Sequence, residues 1–445
     1  MLKMKSLSLL LLSLFLCLIT SSHIQAQQTL SLKELIEIAL EKNYSIRIME
    51  NQQRIANNNF SLGNAGLLPS LGLRSSFGGN LNSSDQTYQD GSEISLRSIH
   101  NATFNVGLQA NWMLFDGFRG QIRYKQLDEL RSLSEIHTRV SIENMVAQLA
   151  SEYYYYIQQK QLFSNLQYAV DLSRERVRIE EEHFLLGSGS KVQLLQAQVN
   201  LNADSSRLER QYEVLRASRI RLNEIIAAPD LSVGIVPADT SITVNPTHTY
   251  EEMHREALSQ NVAVMVAQQN LELSEYDLDL IRSQRYPYIS LNSGYGYAHN
   301  TYQSGVLANQ QTWGMNYSVT LGINIYDGKN QQRRQSNARI EMENRSLSLD
   351  RTLQEVTADL ITIYNAYTNN LRLMEMETQN LEVARENLDI AFERYRLGAL
   401  SGFELREVQK NLLEAEERLL SIQYQAKMAE ISLMQITGRI LECGG

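Results

Sequence analysis

The residues that could carry out chemistry in this chain do not form a recognisable catalytic or metal site. Ser, His and Asp residues occur in no hydrolase motif. The run Glu180–Glu182 next to His183 is typical of a solvated helix face. The other histidines beyond residue 26 lack the spacing of metal ligands; they are His100, His137, His248, His254 and His299. The sequence therefore predicts neither an enzyme nor a cofactor site.

The Gly-Ser segment Gly187–Ser190 is compatible with a flexible linker, a phosphate-binding loop or the turn of a helical hairpin. A phosphate loop requires a preceding strand, whereas the sequence from Gln121 to Leu186 contains no glycine or proline and predicts a helix. Gly187 suits a left-handed helix end, and Ser190 with Gln193 forms a capping box that starts the next helix. The segment is therefore predicted to be a hairpin tip.

Two carboxylates follow an equivalent segment later in the chain. Gly398, Ser401 and Glu404 repeat the glycine and the capping box. Glu404 and Glu407 are three positions apart, so they lie on one helical face close to this second tip. Such a pair attracts cations, although Glu404 also has the simpler role of capping its helix.

The N-terminus and the net charge restrict the compartment and the partners. Residues 1–26, with a short basic start and an apolar run, have the pattern of a secretory signal peptide cleaved after Ala26. Cys17 is an alternative lipid attachment point, but the large Leu16 before it disfavours lipoprotein processing. Without Cys17 only Cys443 remains, which excludes an intrachain disulfide. The formal charge of −9 and the lack of a basic run exclude a nucleic-acid surface.

The chain contains an internal duplication. Residues 32–43 match 250–261, and "LFDG" at 114–117 matches "IYDG" at 325–328. In each repeat the predicted order is a helix, two strands, a very long helix, a tip and a returning helix. The predicted divisions are a first repeat at 27–226 with its tip at 187–191, a linker at 227–249, and a second repeat at 250–445 with its tip at 398–402.

Apolar residues recur every seven positions along the predicted long helices. In the first repeat they are Ile142, Leu149, Tyr156, Phe163, Val170, Val177 and Phe184, and in the second Leu353, Leu360, Tyr367, Met374, Leu381, Leu388 and Tyr395. A sustained seven-residue period predicts coiled-coil packing. A helix from Gly120 to Leu186 would rise roughly 100 Å, more than a globular core needs.

Short segments of alternating polarity separate these helices. The predicted strands are at about 70–82, 102–115, 287–298 and 315–327. One face of these strands is apolar, and the other is small, polar and uncharged near its middle. The pattern is compatible with a half-buried soluble sheet, but secretion favours a transmembrane barrel. Lipid tolerates no open sheet edges and four strands are too few to close, so three chains would supply twelve strands.

Together these features resemble the TolC-like outer-membrane efflux protein family. The resemblance includes the duplicated unit, the long helices and the tips "LGSGSKVQLLQAQ" and "YRLGALSGFELREVQ". It implies a mainly α protein with a β membrane part. In the family, a trimer forms a twelve-stranded β-barrel in the outer membrane of a Gram-negative bacterium, continued by a twelve-helix coiled-coil α-barrel across the periplasm.

The resemblance also implies partners and a route for solutes. It implies an exit duct whose tips meet a periplasmic membrane-fusion adaptor driven by an inner-membrane pump. The tip residues implied in adaptor docking are Gly187, Ser188, Gly189, Ser190, Lys191, Gly398, Ala399, Leu400, Ser401 and Gly402.

A periplasmic constriction is the last feature that the resemblance implies. Glu404 and Glu407 occupy the positions of acidic residues that line it in the family, and Tyr395 falls on the gating tyrosine. Gln193 and Leu400 stand where some members have an aspartate and an arginine. The closed-state ion pair of those members is therefore absent, and the sequence does not show what replaces it.

Two alternative functions remain open. The outer-membrane component of a type I protein secretion system would have the same sequence features. A soluble periplasmic coiled-coil scaffold or adaptor belongs to another class, and the alternating strands argue against it.

Overall fold

The computed structural model describes residues 28–232 and 234–444. The predicted signal peptide, including Cys17, lies outside these residues. The helices, numbered α1 to α8, are Leu32–Lys42, Tyr44–Asn59, Arg119–Leu185, Lys191–Ile225, Tyr250–Gln260, Val262–Ser283, Asn330–Arg396 and Gly402–Ile436. The strands, numbered β1 to β6, are Gln28–Leu30, Ser70–Thr87, Glu93–Phe115, Ile235–Pro237, Tyr288–Thr301 and Asn309–Gly322. A short 3-10 helix, Ile440–Gly444, follows α8.

The duplication extends to individual hydrogen bonds. Asn43 ends α1, and its side-chain Nδ2 donates to the carbonyl of Ile225 over 2.7 Å. Asn261 ends α5, and its Nδ2 donates to the carbonyl of Ile436 over 2.9 Å. Ile225 and Ile436 are the last residues of α4 and α8, where helical carbonyls lack an intrahelical partner. In both repeats an asparagine therefore caps the end of the returning helix.

Four strands form one antiparallel sheet in the order β2, β3, β5, β6. The register aligns residues of like polarity across the strands, for example Leu73, Leu108, Tyr295 and Met315 in one transverse row. The apolar face is largely exposed; its exposed members include Leu71, Leu73, Phe77, Leu81, Trp313, Met315, Tyr317, Val319 and Leu321. The opposite face carries mainly Gly, Ser, Thr, Asn and Gln.

The strand boundaries differ from the predicted ones. β2 extends to Thr87 and β3 begins at Glu93, because backbone pairing continues beyond the segments in which apolar alternation is sustained. Asp85 stabilises this end by accepting from Ser95 Oγ over 2.5 Å. β6 ends at Gly322 rather than near 327, since its partner β5 begins directly after a proline, which cannot donate to a ladder.

The described residues divide into two compact units. The residues up to Arg47, with Val140–Asn261 and Val356–Gly445, form the first unit, and Ile48–Arg139 with Val262–Glu355 form the second, which contains the four-stranded sheet. The first unit has a buried core that includes Leu35, Leu149 and Leu222. Its strand β1 pairs in parallel with β4, so the segment between the repeats packs into this core through Ile235 and Ile242.

The seven-residue apolar stripes are buried unequally. Near the second tip, the stripe of α7 packs against that of α8 in one cluster that contains Leu381, Leu388, Tyr395, Leu405, Leu412 and Leu419. In the first repeat, Phe184 at the end of the α3 stripe is exposed. Between residues 28 and 444, Val233 apart, no helix combines the length and apolarity needed to cross a membrane.

Candidate functional site

The first tip connects α3 to α4 through backbone geometry that glycine allows. Gly187 has a φ of 74°, in the left-handed region. The amides of Ser188 and Gly189 both donate to the carbonyl of His183 over 2.9 Å, which closes the end of α3. Ser190 then starts α4: its hydroxyl accepts from the Gln193 amide, and the Gln193 side chain accepts from the Ser190 amide. The tip residues of this turn, Lys191 included, are largely solvent-accessible.

The second tip repeats this construction with an acidic cap. Gly398 has a φ of 73°, and the amide of Ala399 donates to the carbonyl of Arg394 over 2.8 Å. Glu404 Oε2 accepts from the amide and the hydroxyl of Ser401 over 3.0 and 2.8 Å. Leu400 is half-buried because it packs against the apolar cluster of α7 and α8, so it is less available at the surface than its neighbours.

Tyr395 lies just inside the second tip and is almost completely buried, with 3% of its surface exposed. Its hydroxyl donates to Oε1 of Glu180 on α3 over 2.6 Å. Burial raises the pKa of Tyr395 well above its usual value, and the Glu180 carboxylate raises that pKa further. The tyrosine therefore keeps its proton and remains a donor.

Arg176 and Glu180 lie one helical turn apart on α3, and both are buried. The Arg176 guanidinium donates to Gln409 Oε1 over 3.1 Å and to the carbonyl of Gly402 over 3.0 Å. Burial lowers the pKa of Arg176, while nearby Tyr395 and Glu180 act in the opposite direction. A Cβ on Gly402 would lie 3.1 Å from Glu180 Oε1, so the absence of a side chain lets the second tip close over this group.

A second buried group lies farther from the tip and joins three helices. Asp204 of α4 is 1% exposed and forms a two-pronged ion pair with Arg406 of α8, with N–O distances of 2.7 and 2.8 Å. Ser173 of α3 donates to the same carboxylate over 2.6 Å. We call these three residues, together with Arg176, Glu180, Tyr395 and Gln409, the tip network. It joins helices of the first repeat to helices of the second.

The predicted constriction residues are separated in a single protomer. Tyr395 is buried in the tip network, whereas Gln193, Glu404 and Glu407 are exposed on the early turns of α4 and α8. The backbone amide and the hydroxyl of Ser401 lower the pKa of Glu404, because both donate to its carboxylate. Glu404 thus forms the predicted capping box while remaining open to solvent.

The expected solvated face at Glu180–Glu182 is wrong for its first member. Glu181 and Glu182 are exposed, but Glu180 is 5% exposed and accepts from Tyr395. A signal for this burial was present in the sequence. Ser173 and Glu180 each follow a member of the seven-residue stripe by three positions, which is the second inward position of a coiled coil. Sequence reasoning also missed Arg176, Asp204 and Arg406, whose charges alone suggest a surface.

The chemistry of the tips is one of ion pairing and hydrogen bonding. In the part of the chain that the structure describes, no three His, Cys, Asp or Glu side chains converge to hold a metal ion. The tip network provides buried, directional contacts between helices. The exposed carboxylates of Glu404 and Glu407 provide negative charge at the surface, on the early turns of α8. This arrangement can hold helices together and repel or attract small ions.

Comparison with known proteins gives a consistent result for sequence and structure. A family model described as outer membrane efflux protein matches residues 35–228 and 253–439, one range in each repeat. The chain is 22% identical over 418 residues to the cation efflux system protein CusC of Escherichia coli strain K12, covering 91% of this chain and 86% of that protein. It is 18% identical over 428 residues to the proteases secretion protein PrtF of Dickeya chrysanthemi, covering 93% and 89%.

The solved structure of the outer membrane protein VceC from Vibrio cholerae has the same fold. The TM-score is 0.73 at 15% sequence identity, with 92% of this chain and 96% of that chain covered. A CusC structure gives a TM-score of 0.74 at 18% identity and covers 92% of each chain. The predicted fold class, mainly α with a β part, is confirmed by this likeness.

Proposed function

Because this chain belongs to the outer membrane efflux protein family, we propose that it forms the exit duct of a tripartite efflux system. It is an outer-membrane channel protein with a helical tunnel in the periplasm, and it passes solutes outward. The family consists of channels and not of enzymes. The observation that carries the proposal is the four-stranded sheet, with its exposed apolar face on one side and its polar face on the other.

The apolar face of the sheet is the surface expected to contact lipid. Large side chains such as Phe77, Trp313 and Tyr317 are exposed there. An exposed apolar surface of this kind is unfavourable in water, because each such side chain gains about 1.5–3 kcal/mol on burial. Contiguous apolar patches mark membrane or protein interaction surfaces. The small polar residues of the opposite face suit a water-filled lumen.

The edges of the sheet support a homotrimer. β2 and β6 each pair on one side only in the described chain, and lipid does not satisfy the backbone groups of an open edge. Pairing β6 of one copy with β2 of the next closes the edges, and three copies provide twelve strands. A barrel of this size leaves an aqueous channel.

A second seam on α7 supports the same partner. Met376, Val383 and Ile390 of α7, and Leu397 directly after its end, recur every seven positions and are exposed, with Leu397 at 81%. This seam is distinct from the buried stripe of α7 that packs on α8. Exposed apolar residues at heptad spacing form a coiled-coil contact with another helix. A neighbouring copy of the chain is the partner that also closes the sheet.

The two tips are the proposed docking surface for a periplasmic membrane-fusion adaptor, which connects the duct to an inner-membrane pump. The residues at 187–191 and 398–402 form two similar, solvent-accessible turns. Apolar side chains of high exposure flank both turns, namely Leu186 and Val192 at the first and Phe403 at the second. Apolar residues around a rigid turn favour packing against another protein.

The tip network is the proposed closure device of the duct. Arg176, Glu180 and Tyr395 tie the two hairpins of a protomer together where some family members use an ion pair that this sequence lacks. Glu404 and Glu407 of three chains then supply carboxylates in front of the closed tips. Opening requires the helices of the second tip to move away from α3, which breaks the Tyr395–Glu180 hydrogen bond.

A protein exporter remains the second candidate, because PrtF, which is named as a protease secretion protein, matches most of the chain. The genes that lie next to the gene of this protein distinguish solute efflux from protein secretion. A resistance-type pump and adaptor next to this gene support efflux of small solutes, whereas an ABC exporter beside a large repeat-rich substrate supports protein secretion.

The proposed function is tested by purification and reconstitution. The mature protein should require detergent for extraction from membranes, run as a trimer and produce discrete conductance steps in planar bilayers. A strain that lacks only the gene of this protein should accumulate the solutes that the pump encoded next to it exports. A protein that is soluble without detergent, or a detergent-purified monomer with intact β-structure, would contradict the proposal.

A further inference from the structure

Arg74 is the one charged side chain in the well-paired part of the sheet, within the strands that the structure describes. The other charged residues of the four strands, Asp85, Glu93 and Arg97, lie at the opposite end of β2 and the start of β3. Arg97 forms an ion pair with Asp85 over 3.0 Å, so two of these charges compensate each other. The neighbours of Arg74 on its own and the paired strands carry no charge.

The position of Arg74 in the register places it on the polar face. It pairs with Gly107, which pairs with Gly296, which in turn pairs with Gly314. Directly paired residues project from the same side of a sheet. Three consecutive partners of Arg74 therefore have no side chain, and the guanidinium has open space beside it along the whole transverse row.

The backbone explains why two of these glycines are required. A Cβ on Gly107 would lie 2.9 Å from both the Cα of Gly296 and the carbonyl oxygen of Tyr295. A Cβ on Gly296 would lie 3.1 Å from the carbonyl oxygen of Val106. The two strands thus approach too closely for a side chain at this level, and the row becomes a depression in the polar face.

The depression is part of a groove of about 700 Å³ on this face of the sheet. The rows on either side of the Arg74 row contribute amide and hydroxyl groups, including those of Asn105, Gln109, Thr312 and Asn316. Arg74 is the only charged residue among the groove's lining residues. The groove therefore combines one permanent positive charge with neutral groups that donate and accept hydrogen bonds.

We propose that Arg74 forms an anion-binding and anion-selecting site inside the channel, for solutes that carry carboxylate or phosphate groups. The inference rests on the proposed function, because the polar face must line the lumen of a trimer for three copies of Arg74 to surround one path. A guanidinium presents paired N–H donors that match the geometry of carboxylate and phosphate oxygens. Rings of arginine or lysine select anions in pores.

The site has the opposite sign to the carboxylates near the second tip. The barrel section is thus specialised for anionic or zwitterionic solutes, independently of the ion preference of the tips.

The test is the ion selectivity of reconstituted wild-type, Arg74→Gln and Arg74→Lys channels. In a KCl gradient across a planar bilayer, Arg74→Gln should raise the potassium-to-chloride permeability ratio several-fold, because it removes three positive charges that attract chloride and repel potassium. Citrate, used as a multivalent anion, should reduce the current through the wild type and Arg74→Lys but much less through Arg74→Gln. Arg97→Gln is the matched control, since Arg97 is paired with Asp85 outside the groove.

The outcomes distinguish a failure of the Arg74 site from a failure of the proposed channel function. Arg74 is exposed, so Arg74→Gln should leave trimer formation and strand content unchanged, which gel mobility and circular dichroism check. If Arg74→Gln channels conduct and have the same reversal potential and the same block by citrate as the wild type, the Arg74 site is overturned and the proposed function is left intact. A wild-type protein that does not conduct overturns the proposed function and the site together.

Discussion

Tyr395 of the second repeat donates a hydrogen bond to Glu180 of the first repeat over 2.6 Å, although the two residues are 215 positions apart. Both side chains are buried, and Arg176 lies one turn from Glu180 and binds the backbone of Gly402. One protomer therefore holds its own two hairpins together next to the tips. This contact can be broken by removing a single oxygen atom.

Tyr395→Phe is expected to loosen the closed tips. The change removes the donor and leaves the buried Glu180 carboxylate with fewer hydrogen bonds, which costs about 1–2 kcal/mol and increases the open fraction about 5- to 30-fold. The baseline conductance of reconstituted channels should rise accordingly. Tyr168→Phe is the matched control, because Tyr168 lies on α3 but is exposed. Equal baseline conductance in both variants would argue against closure through this hydrogen bond.

Asp204→Asn is expected to destabilise the packing of α4 against α8. The substitution keeps the size of the side chain but removes the charge that Arg406 pairs with, at a cost of about 1–3 kcal/mol. Arg207→Gln serves for comparison, because the Arg207–Glu417 pair joins the same helices at an exposed position and contributes less than about 1 kcal/mol. Thermal unfolding of the detergent-solubilised protein measures both effects, and a similar loss in the two variants contradicts the special role of the buried pair.

The cap of α8 should weaken in acid, whereas the cap of α4 should not. The folded-state pKa of Glu404 is lowered from 4.5, so its stabilising effect is present above that pH and is lost as the pH falls through the lower folded value. Gln193 forms the equivalent cap in the first tip without a charge. Hydrogen-exchange protection of the Glu404 amide should therefore fall relative to that of the Gln193 amide as the pH is lowered below 4.5. The same pH dependence of protection at both amides would show that the charge of the Glu404 carboxylate is unimportant for capping α8.

Gly398→Val is expected to stop export while trimers still reach the outer membrane. A Cβ at Gly398 meets no atom within 4 Å, so the effect arises from the positive φ, which costs a side chain about 1–2 kcal/mol and is worse for a β-branched residue. Gly187→Val should behave in the same way, since Gly187 has the same geometry. Gly398→Asn is the control, because asparagine tolerates this backbone region. Export retained in both valine variants rejects the docking role of the tips.

A double change of Glu404 and Glu407 to Gln is expected to reduce cation preference. It removes two charges in each chain near the proposed constriction but keeps the side-chain size and the capping geometry that Gln193 shows. The permeability ratio in a salt gradient should shift towards anions, the opposite direction from Arg74→Gln. An unchanged ratio in intact trimers would mean that these glutamates are caps and surface charges, and that the narrowest point lies elsewhere.

The periodic parts of the fold could be predicted from the sequence because many residues report the same feature. A seven-residue stripe along α7 and the matching segments of the two repeats each depend on numerous side chains, so no single exception hides them. The tips were equally predictable, since Gly187 and Gly398 are required by their positive φ. Alternating polarity in 102–115 identified the central part of β3. It did not identify the start of the strand at Glu93, because strict alternation does not extend to that end.

The tip network could not be assigned in the same way. In the sequence, Glu180 cannot be told from its exposed neighbours Glu181 and Glu182 unless its hydrogen-bond partner is known. That partner, Tyr395, is 215 positions away in the chain. The partners of Asp204 and Glu180 come from the other repeat, so their burial depends on how the hairpins pack. Nor did periodicity reveal the row formed by Arg74 and three glycines, which exists only once the strand register is fixed.

The parallel pairing of β1 with β4 restricts the order in which the protein can fold. Gln28 pairs with Ile235, and the Leu30 carbonyl accepts from the Ala238 amide over 2.9 Å. A chain delivered amino end first therefore carries an unpaired β1 until the segment between the repeats has followed it. Closing so long a loop has an entropic cost that later contacts must offset. The first repeat can mature only after the segment between the repeats has emerged, and until then its apolar strands need protection from other chains.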